Sequence, residues 1–235
     1  MNIFQIFLCD DEWLSWNLTN CSQIFENKKQ KILEMYPDAD YQLYTNDTIK
    51  DFLFEFNREV FDCFTSLKPY AFRADLARYC LLYQFGGWYF DISVTPLFKF
   101  ETNKSTLLFF NKNKKIIENS IFYCQPKHSL MMSSINLSVT KIKNRSYGEN
   151  PLDITGPQIL TTAFDSLDRT VKKNIHYGSY TYKNYNDEAS ERWYEIDNRK
   201  FAEYKKYEYI SRIDQFGFAG TNRYVDLWRT QNVYN

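Results

Sequence analysis

One helix stopped by two glycines constrains the fold more than any other feature of the chain. Apolar residues recur at helical spacing from Tyr70 to Phe85, and Gly86-Gly87 follows directly. The sequence therefore predicts a helix over 70–85 that Gly86 closes in the left-handed conformation. The run Trp-Tyr-Phe-Asp-Ile at 88–92 is typical of a strand. A strand that begins this close to a helix end carries Asp91 to the rim of a sheet.

Strands and helices are predicted to alternate through the first half of the chain, in the order β-α-β-α. This order favours an α/β fold with a mostly parallel central sheet flanked by helices, whose ligand crevice lies outside the carboxyl ends of the strands. After His176 no periodicity is clear until Tyr207 to Ile210. The predicted strands are Ile3 to Leu8, Tyr41 to Thr45, Leu107 to Phe110 and Ser120 to Tyr123. The other predicted helices are Asn20 to Met35, Thr48 to Phe56 with Asn46-Asp47 as its cap, Val60 to Leu67, Leu130 to Ile142 and Pro157 to Leu167.

Length, charge and cysteine content narrow the class of protein. A length of 235 residues without a linker or repeat predicts a single domain. The 29 basic and 29 acidic residues cancel, which argues against nucleic acid as a partner. No apolar run approaches the ~20 residues of a membrane span, so any membrane contact is expected to be peripheral. Five cysteines without C-x-x-C spacing fit reduced thiols and a cytoplasmic location.

Four polar residues on the two sides of the glycine pair could form a site. Asp75 and Arg78 share a helical face, either as a plain intrahelical ion pair or as part of a binding site. Asp91 and Ser93 form a D-x-S pattern whose side chains point the same way if the chain there is extended. Carboxylate and hydroxyl oxygens suit Mg²⁺ or Mn²⁺, whereas the same pattern also occurs as ordinary turn chemistry.

The block 72–97 resembles the core of glycosyltransferases with a DXD sugar-binding region. This is the family 32 grouping that includes bacterial capsule and lipopolysaccharide transferases and, more distantly, the glucosyltransferase domains of clostridial toxins. Ser93 stands where that family has its second metal-binding acid. The matching residues are Arg73, Ala74, Asp75, Arg78, Tyr79, Leu82, Tyr83, Gly86, Gly87, Tyr89, Asp91, Val94, Pro96 and Leu97.

Weaker likeness continues in order outside this block. Ile3 to Leu8 is similar to the family's opening strand, with Phe4 and Phe7 in place of the usual His and Trp. Thr155-Gly156-Pro157 resembles its T-G-P turn. The segment 220–228 resembles a closing segment in which a polar residue and a Trp fold over the donor site.

The resemblance implies a GT-A type, Rossmann-like single domain over 1–235, with 206–235 closing over the donor site. It implies transfer of a hexose from a nucleotide-diphosphate sugar, with a UDP-sugar favoured, to a saccharide or lipid-linked saccharide. It further implies retention of configuration, Mn²⁺ or Mg²⁺ as cofactor, and surface polysaccharide synthesis at the inner face of the cytoplasmic membrane.

The resemblance also assigns roles to residues. Asp75, Arg78 and Asp91 would be catalytic, with Asp75 and Arg78 also contacting the donor. Ser93 would bind the metal with Asp91, and Asn222 or Asp226 is a further candidate ligand. The remaining donor-binding candidates are Phe7, Arg73, Tyr89, Asn222 and Trp228.

Alternatives remain open at this stage. Phe7, Tyr89 and Trp228 could equally be ordinary packing residues. Ser93 could mark a catalytically degenerate protein that binds sugar nucleotides or glycans without transferring them. Nucleotidyl transfer at an acid-paired metal is a third class, which the block around Asp75, Arg78 and the two glycines disfavours.

Overall fold

The first half of the chain alternates strands and helices as its sequence predicts. A computed structural model describes residues 1–10, 25–111, 113, 115–184, 190–204 and 223–235. The strands are β1 (Asn2–Ile6), β2 (Asp40–Tyr44), β3 (Gly87–Phe90), β4 (Val94–Pro96), β5 (Thr106–Asn111), β6 (Ile116–Cys124), β7 (Ile175–Asn184), β8 (Ser190–Ile196) and β9 (Arg199–Tyr204). The helices are α1 (helical residues 25–35), α2 (Asn46–Phe56), α3 (Arg58–Ser66), α4 (Tyr70–Phe85), α5 (Ser129–Lys143), α6 (Pro157–Asp165), α7 (Arg169–Lys172) and α8 (Tyr224–Arg229), with a 3-10 turn at Pro151–Asp153.

The nine described strands form one sheet in the order β2-β1-β3-β6-β5-β7-β8-β9-β4. The pairs β1/β2, β1/β3 and β5/β7 are parallel, and the other pairs are antiparallel. The α/β prediction is confirmed, but the expectation of a mostly parallel sheet is wrong in this detail. The parallel run β2-β1-β3 ends at β3 because β6 is antiparallel to it, and beyond β6 only the pair β5/β7 among the described strands is parallel.

The sheet is covered on both faces by apolar side chains. One core cluster packs the helices α2 through α6 against the sheet. It includes Leu76, Leu82 and Phe122. A second cluster on the opposite face packs Trp88, Phe90 and Phe201 against α1. Helix α4 contributes to the first cluster along most of its length, and Asp75 and Arg78 are buried with it. Within the described ranges, no helix has the length and apolar composition needed to cross a bilayer.

The glycine pair closes α4 as predicted. Gly86 has φ +63° and Gly87 has φ +112°, conformations that side-chain-bearing residues rarely adopt. A Cβ on Gly87 would collide with the backbone of Asn2 in the neighbouring strand β1. Glycine at 87 is therefore needed both for the turn and for the close pairing of β1 with β3.

Other sequence predictions fare unevenly. Helix α4 has the predicted ends, whereas the cap of α2 is Thr45 and not Asn46-Asp47. The aperiodic region after His176 contains the strands β7, β8 and β9, which the sequence patterns missed. Residues 20–24 of the first predicted helix and the run Tyr207 to Ile210 lie outside the described residues.

Candidate active site

Four elements bring polar side chains together beside the carboxyl end of β3. Asp91 follows β3 directly, and helix α4 places Asp75 and Arg78 three residues apart on one face. Strand β6 runs antiparallel to β3 and contributes Asn119 from its middle. The turn before α6 contributes Thr155. The predicted set Asp75, Arg78 and Asp91 is thus in contact in the structure.

Arg78 is the centre of this cluster. Its Nη2 lies 3.2 Å from Asp75 Oδ1, and its Nη1 lies 3.2 Å from Asp91 Oδ1. Nη1 also donates to the backbone oxygen of Asn119 at 2.5 Å, and the guanidinium carbon lies 4.4 Å from the ring centre of Tyr89. The residue is only 4% exposed. Arg78 therefore orients the two carboxylates in this structure, and its predicted contact with a sugar or diphosphate stays a prediction.

Asp75 is held by donors on both oxygens. Asn119 Nδ2 donates to Oδ1 at 2.9 Å, and Thr155 Oγ1 donates to Oδ2 at 3.3 Å. Burial raises the pKa of Asp75 to about 6, although the Arg78 cation and these two hydrogen bonds act in the opposite direction. The carboxylate is thus fixed in direction and changes its charge close to neutral pH.

Asp91 has one engaged and one available oxygen. Its Oδ1 accepts a hydrogen bond from the Tyr89 hydroxyl at 2.8 Å in addition to the Arg78 contact. No donor in the described part of the chain reaches Oδ2, and the side chain is 29% exposed. Burial raises the pKa of Asp91, while Arg78 and Tyr89 favour the charged form. This oxygen is free to bind a cation at the rim of the sheet.

Ser93 lies at the same rim but not on an extended chain. The Val94 amide donates to the Asp91 carbonyl at 2.8 Å, so residues 91–94 form a tight turn, and the expected extended D-x-S geometry is wrong. The Tyr204 hydroxyl lies near both side chains, because it hydrogen-bonds to Ser93 and interacts electrostatically with Asp91. Pairing of Val94 with Tyr204 fixes this arrangement.

The remaining N-terminal candidates are engaged in packing. Tyr89 is 1% exposed, so it does not line an open pocket. Its hydroxyl donates a hydrogen bond to Asp91. Arg73 Nε donates to the carbonyl of Leu67 at 2.5 Å, at the C-terminal end of α3. Phe7 is buried, with its ring centre 4.8 Å from that of Phe25. Donor contacts by these three residues stay predictions.

The C-terminal candidates are only partly described. Asn222 lies outside the described residues. Trp228 Nε1 donates to the carbonyl of Tyr147 at 2.7 Å, and Asp226 forms an ion pair with Arg223 at 3.3 Å. No contact among the described residues joins Asp226 to Asp91. Tyr224 of α8, however, interacts electrostatically with Asp75, so α8 lies near the cluster.

The donor chemistry at the rim fits a hard divalent cation. Asp91 Oδ2 and the Ser93 hydroxyl are oxygen ligands of the kind that Mg²⁺ and Mn²⁺ accept. The cluster contains two carboxylates, those of Asp75 and Asp91, and one guanidinium, that of Arg78. When both carboxylates are charged, it therefore has an excess of negative charge. No group of three or more His, Cys, Asp or Glu side chains among the described residues could hold a metal by itself. A cation here would thus need further ligands besides the described acidic side chains.

Sequence reasoning missed Asn119 and Tyr204. Asn119 is one of many asparagines, and only the antiparallel pairing of β6 with β3 brings its amide to Asp75. Tyr204 lies in the region that shows no periodicity, yet it reaches Ser93 through the pairing of β4 with β9. Thr155, by contrast, was within the recognised T-G-P turn but had no assigned role.

Residues 22–121 match the family model for the glycosyltransferase sugar-binding region containing DXD motif. This range contains α4, β3 and the Asp91 turn, so it coincides with most of the cluster described above. Over this range the chain is therefore similar to glycosyltransferase sugar-binding regions of the DXD class, and Ser93 stands where the resemblance places the second acid. The α/β fold agrees with the fold class that this resemblance implies, and the matched region confirms the resemblance found in block 72–97.

Three fungal proteins are similar to parts of the chain. Mannosyl phosphorylinositol ceramide synthase SUR1 of Saccharomyces cerevisiae is 27% identical over 108 residues, or 46% of this chain and 28% of that protein. Inositol phosphoceramide mannosyltransferases 2 and 3 of Schizosaccharomyces pombe are 29% identical over 79 residues and 26% identical over 84 residues. The chain spans about a quarter of the length of these relatives, at 28%, 23% and 22%.

A solved structure, that of PaToxG glycosyltransferase, is also similar to the chain. The two share 17% sequence identity with a TM-score of 0.47, over 73% of this chain and 71% of that one.

Proposed function

We propose that this domain transfers a hexose from a nucleotide-diphosphate sugar to a hydroxyl group of a saccharide acceptor. The observation that carries the proposal is the buried cluster of Asp75, Arg78 and Asp91 at the end of β3, with one Asp91 oxygen left available at the rim. The matched sugar-binding region and the mannosyltransferase relatives support the same class of reaction.

Some residues of the cluster would bind the donor, and others orient the residues that bind it. Asp75, fixed by Asn119 and Thr155, would accept hydrogen bonds from hydroxyls of the donor sugar. Arg78 and Tyr89 hold Asp91 through one oxygen, which leaves its second oxygen for a cation or the donor diphosphate. Preorganised groups of this kind lower a barrier because they need no rearrangement as charge develops. A divalent cation bound at Asp91 and Ser93 would supply charge neutralisation of the leaving diphosphate.

Several finer features belong to the same proposal. Mn²⁺ or Mg²⁺ is the expected cofactor, and retention of anomeric configuration follows from the family resemblance alone. The relatives' names point to mannose as a donor sugar to test beside glucose. The acceptor could be lipid-linked, and the fungal relatives' names refer to ceramide-containing lipids, whereas a role in bacterial capsule or lipopolysaccharide synthesis rests on the resemblance only.

The test is a donor screen with radiolabelled UDP-glucose, UDP-galactose and GDP-mannose. We expect the full chain to release nucleoside diphosphate from one of these donors with Mn²⁺ or Mg²⁺ present, and to lose this activity with EDTA. Released monosaccharide or glycosylated acceptor would be separated by chromatography. Failure to cleave any donor, while one of them still raises the melting temperature, would contradict transfer.

That outcome would favour a sugar-nucleotide-binding protein. One observation supports this second candidate: Ser93 replaces an acid, and no third acidic ligand lies at the rim among the described residues. A binding protein predicts saturable donor binding without cleavage. Release of inorganic pyrophosphate from a sugar phosphate and a nucleoside triphosphate would instead indicate nucleotidyl transfer.

A further inference from the structure

One face of the strands β7 to β9 presents tyrosines around a single arginine. Tyr182 pairs with Arg192, and two residues along β7 Tyr180 points the same way. Tyr194 pairs with Tyr180 on one side and with Ala202 of β9 on the other, so Ala202 is on this face as well. Tyr204 is two residues after Ala202 and therefore lies on the same face. We call Tyr180, Tyr182, Arg192 and Tyr204 the tyrosine-arginine row.

Arg192 is held by aromatic side chains and not by an acid. Its guanidinium carbon lies 5.1 Å from the ring centre of Tyr182 and 5.3 Å from that of Tyr204. It also hydrogen-bonds to the hydroxyl of Tyr180. Within the described part of the chain, no carboxylate lies within 4 Å of this guanidinium, and the residue is half-buried. The row therefore contains a partly desolvated cation that none of the described acidic side chains contacts.

The row begins at the Asp91 turn. Tyr204 pairs with Val94, and its hydroxyl hydrogen-bonds to Ser93. One tyrosine ring thus separates Arg192 from the residues that would hold the diphosphate of the donor. Tyr182 is 43% exposed, so the outer end of the row is open to solvent. A molecule bound along the row would present its near end to the donor sugar.

We propose that the tyrosine-arginine row binds the acceptor, and that this acceptor is a saccharide carrying a negatively charged group. Sugar rings pack on tyrosine faces, while the planar guanidinium binds phosphate or carboxylate oxygens in a bidentate manner. The role of the row as an acceptor site rests on the proposed glycosyl transfer. Its preference for an anion rests only on Arg192, whose guanidinium no described carboxylate contacts.

Binding of two matched pairs of probes tests the proposal. Ligand-observed NMR on the full chain, without metal, would compare inositol 1-phosphate with inositol and methyl glucuronide with methyl glucoside. We expect at least one anionic probe to bind about tenfold more tightly than its neutral counterpart. The phosphate pair and the carboxylate pair distinguish the two sources of negative charge. Arg192→Gln should remove the difference between charged and neutral probes.

Arg199→Gln is the matched control, because Arg199 lies on the same sheet with its guanidinium 4.0 Å from the ring centre of Phe98. It should leave the preference unchanged. Equal binding of charged and neutral probes, absence of binding by both anions, or the same loss in Arg199→Gln would overturn the proposal. Donor cleavage measured on wild-type protein and on Arg192→Gln is a separate readout. If wild-type protein cleaves no donor, glycosyl transfer fails while the anion preference is still decided by NMR.

Discussion

At the scale of single residues, the site depends on how the protein controls the charge of Asp75. Burial favours the neutral acid, whereas Arg78, Asn119 and Thr155 favour the carboxylate. The resulting pKa of about 6 lies close to neutral pH. A group that must accept hydrogen bonds from sugar hydroxyls works in its charged form, so turnover should fall as pH drops through this value.

Removing one donor to Asp75 should move that acidic limb. Thr155→Val deletes the hydroxyl that donates to Oδ2, which destabilises the carboxylate and raises its pKa. We expect the acidic limb of the pH profile for donor cleavage to shift to higher pH. Thr155→Ser keeps the hydroxyl and should behave as wild type. An unshifted limb in Thr155→Val would show that Asp75 does not control it.

Asp75 should also make stability depend on pH. Its folded pKa of about 6 exceeds the ordinary value of 3.8 for an aspartate, so between these values the folded state binds more protons than the unfolded state. The free energy of unfolding should therefore fall as pH rises from about 4 to 6, by up to about 3 kcal/mol from this group. Asp75→Asn should flatten this decline in urea titrations. Asp197→Asn, at a side chain 72% exposed, should leave it unchanged.

At the scale of elements, the junction of α4 with β3 positions Asp91. Gly87→Ala should destabilise the protein by about 2 kcal/mol or more, because alanine is strained at φ +112° and its methyl group would meet the backbone of β1. Gln84→Ala, at an exposed residue of the same helix end, should cost less than about 0.5 kcal/mol. Equal melting temperatures for the two variants would contradict this account.

The same junction shows why some elements could be predicted and others could not. Helix α4 and its end are encoded locally, by apolar spacing and two glycines, and the structure has the predicted ends. Strands β7 and β8 mix tyrosines with charged residues, so their identity depends on pairing with distant partners. The D-x-S segment could form a strand end or a turn. It forms a turn because the Val94 amide donates a hydrogen bond to the Asp91 carbonyl. Asp75, Arg78 and Asp91 were predicted by family resemblance, while Asn119 required the sheet register.

At the scale of the whole molecule, the C-terminal residues return to the first half of the chain. The Lys68 amide donates to the Val233 carbonyl at 2.7 Å, and the Asn235 amide donates to that of Ser66 at 2.8 Å. Val233 is fully buried in the core that contains α4. These contacts anchor α8 beside α4, where Tyr224 interacts with Asp75. That the segment 206–235 closes over the donor site stays a prediction, since residues 206–222 lie outside the described residues.

The chain as a whole has no net charge, which disfavours attraction of a long polyanion. Its charged residues form an internal cluster, which fits local recognition of one diphosphate better. We propose that Asp91 binds the ion and the donor at the end of β3. Its exchange for asparagine keeps the shape of the side chain and most hydrogen bonds but removes the negative charge. The melting temperature should therefore change by only a few degrees.

The most direct measurement compares donor cleavage by wild-type protein, Asp91→Asn and Asp197→Asn at saturating Mn²⁺ in one assay. We predict that Asp91→Asn loses at least about a hundredfold in kcat/KM, since an electrostatic contact to the transition state contributes several kcal/mol. Asp197→Asn, exposed on the turn between β8 and β9, should retain wild-type activity. A folded Asp91→Asn variant that cleaves the donor at the wild-type rate would contradict the assignment of this site.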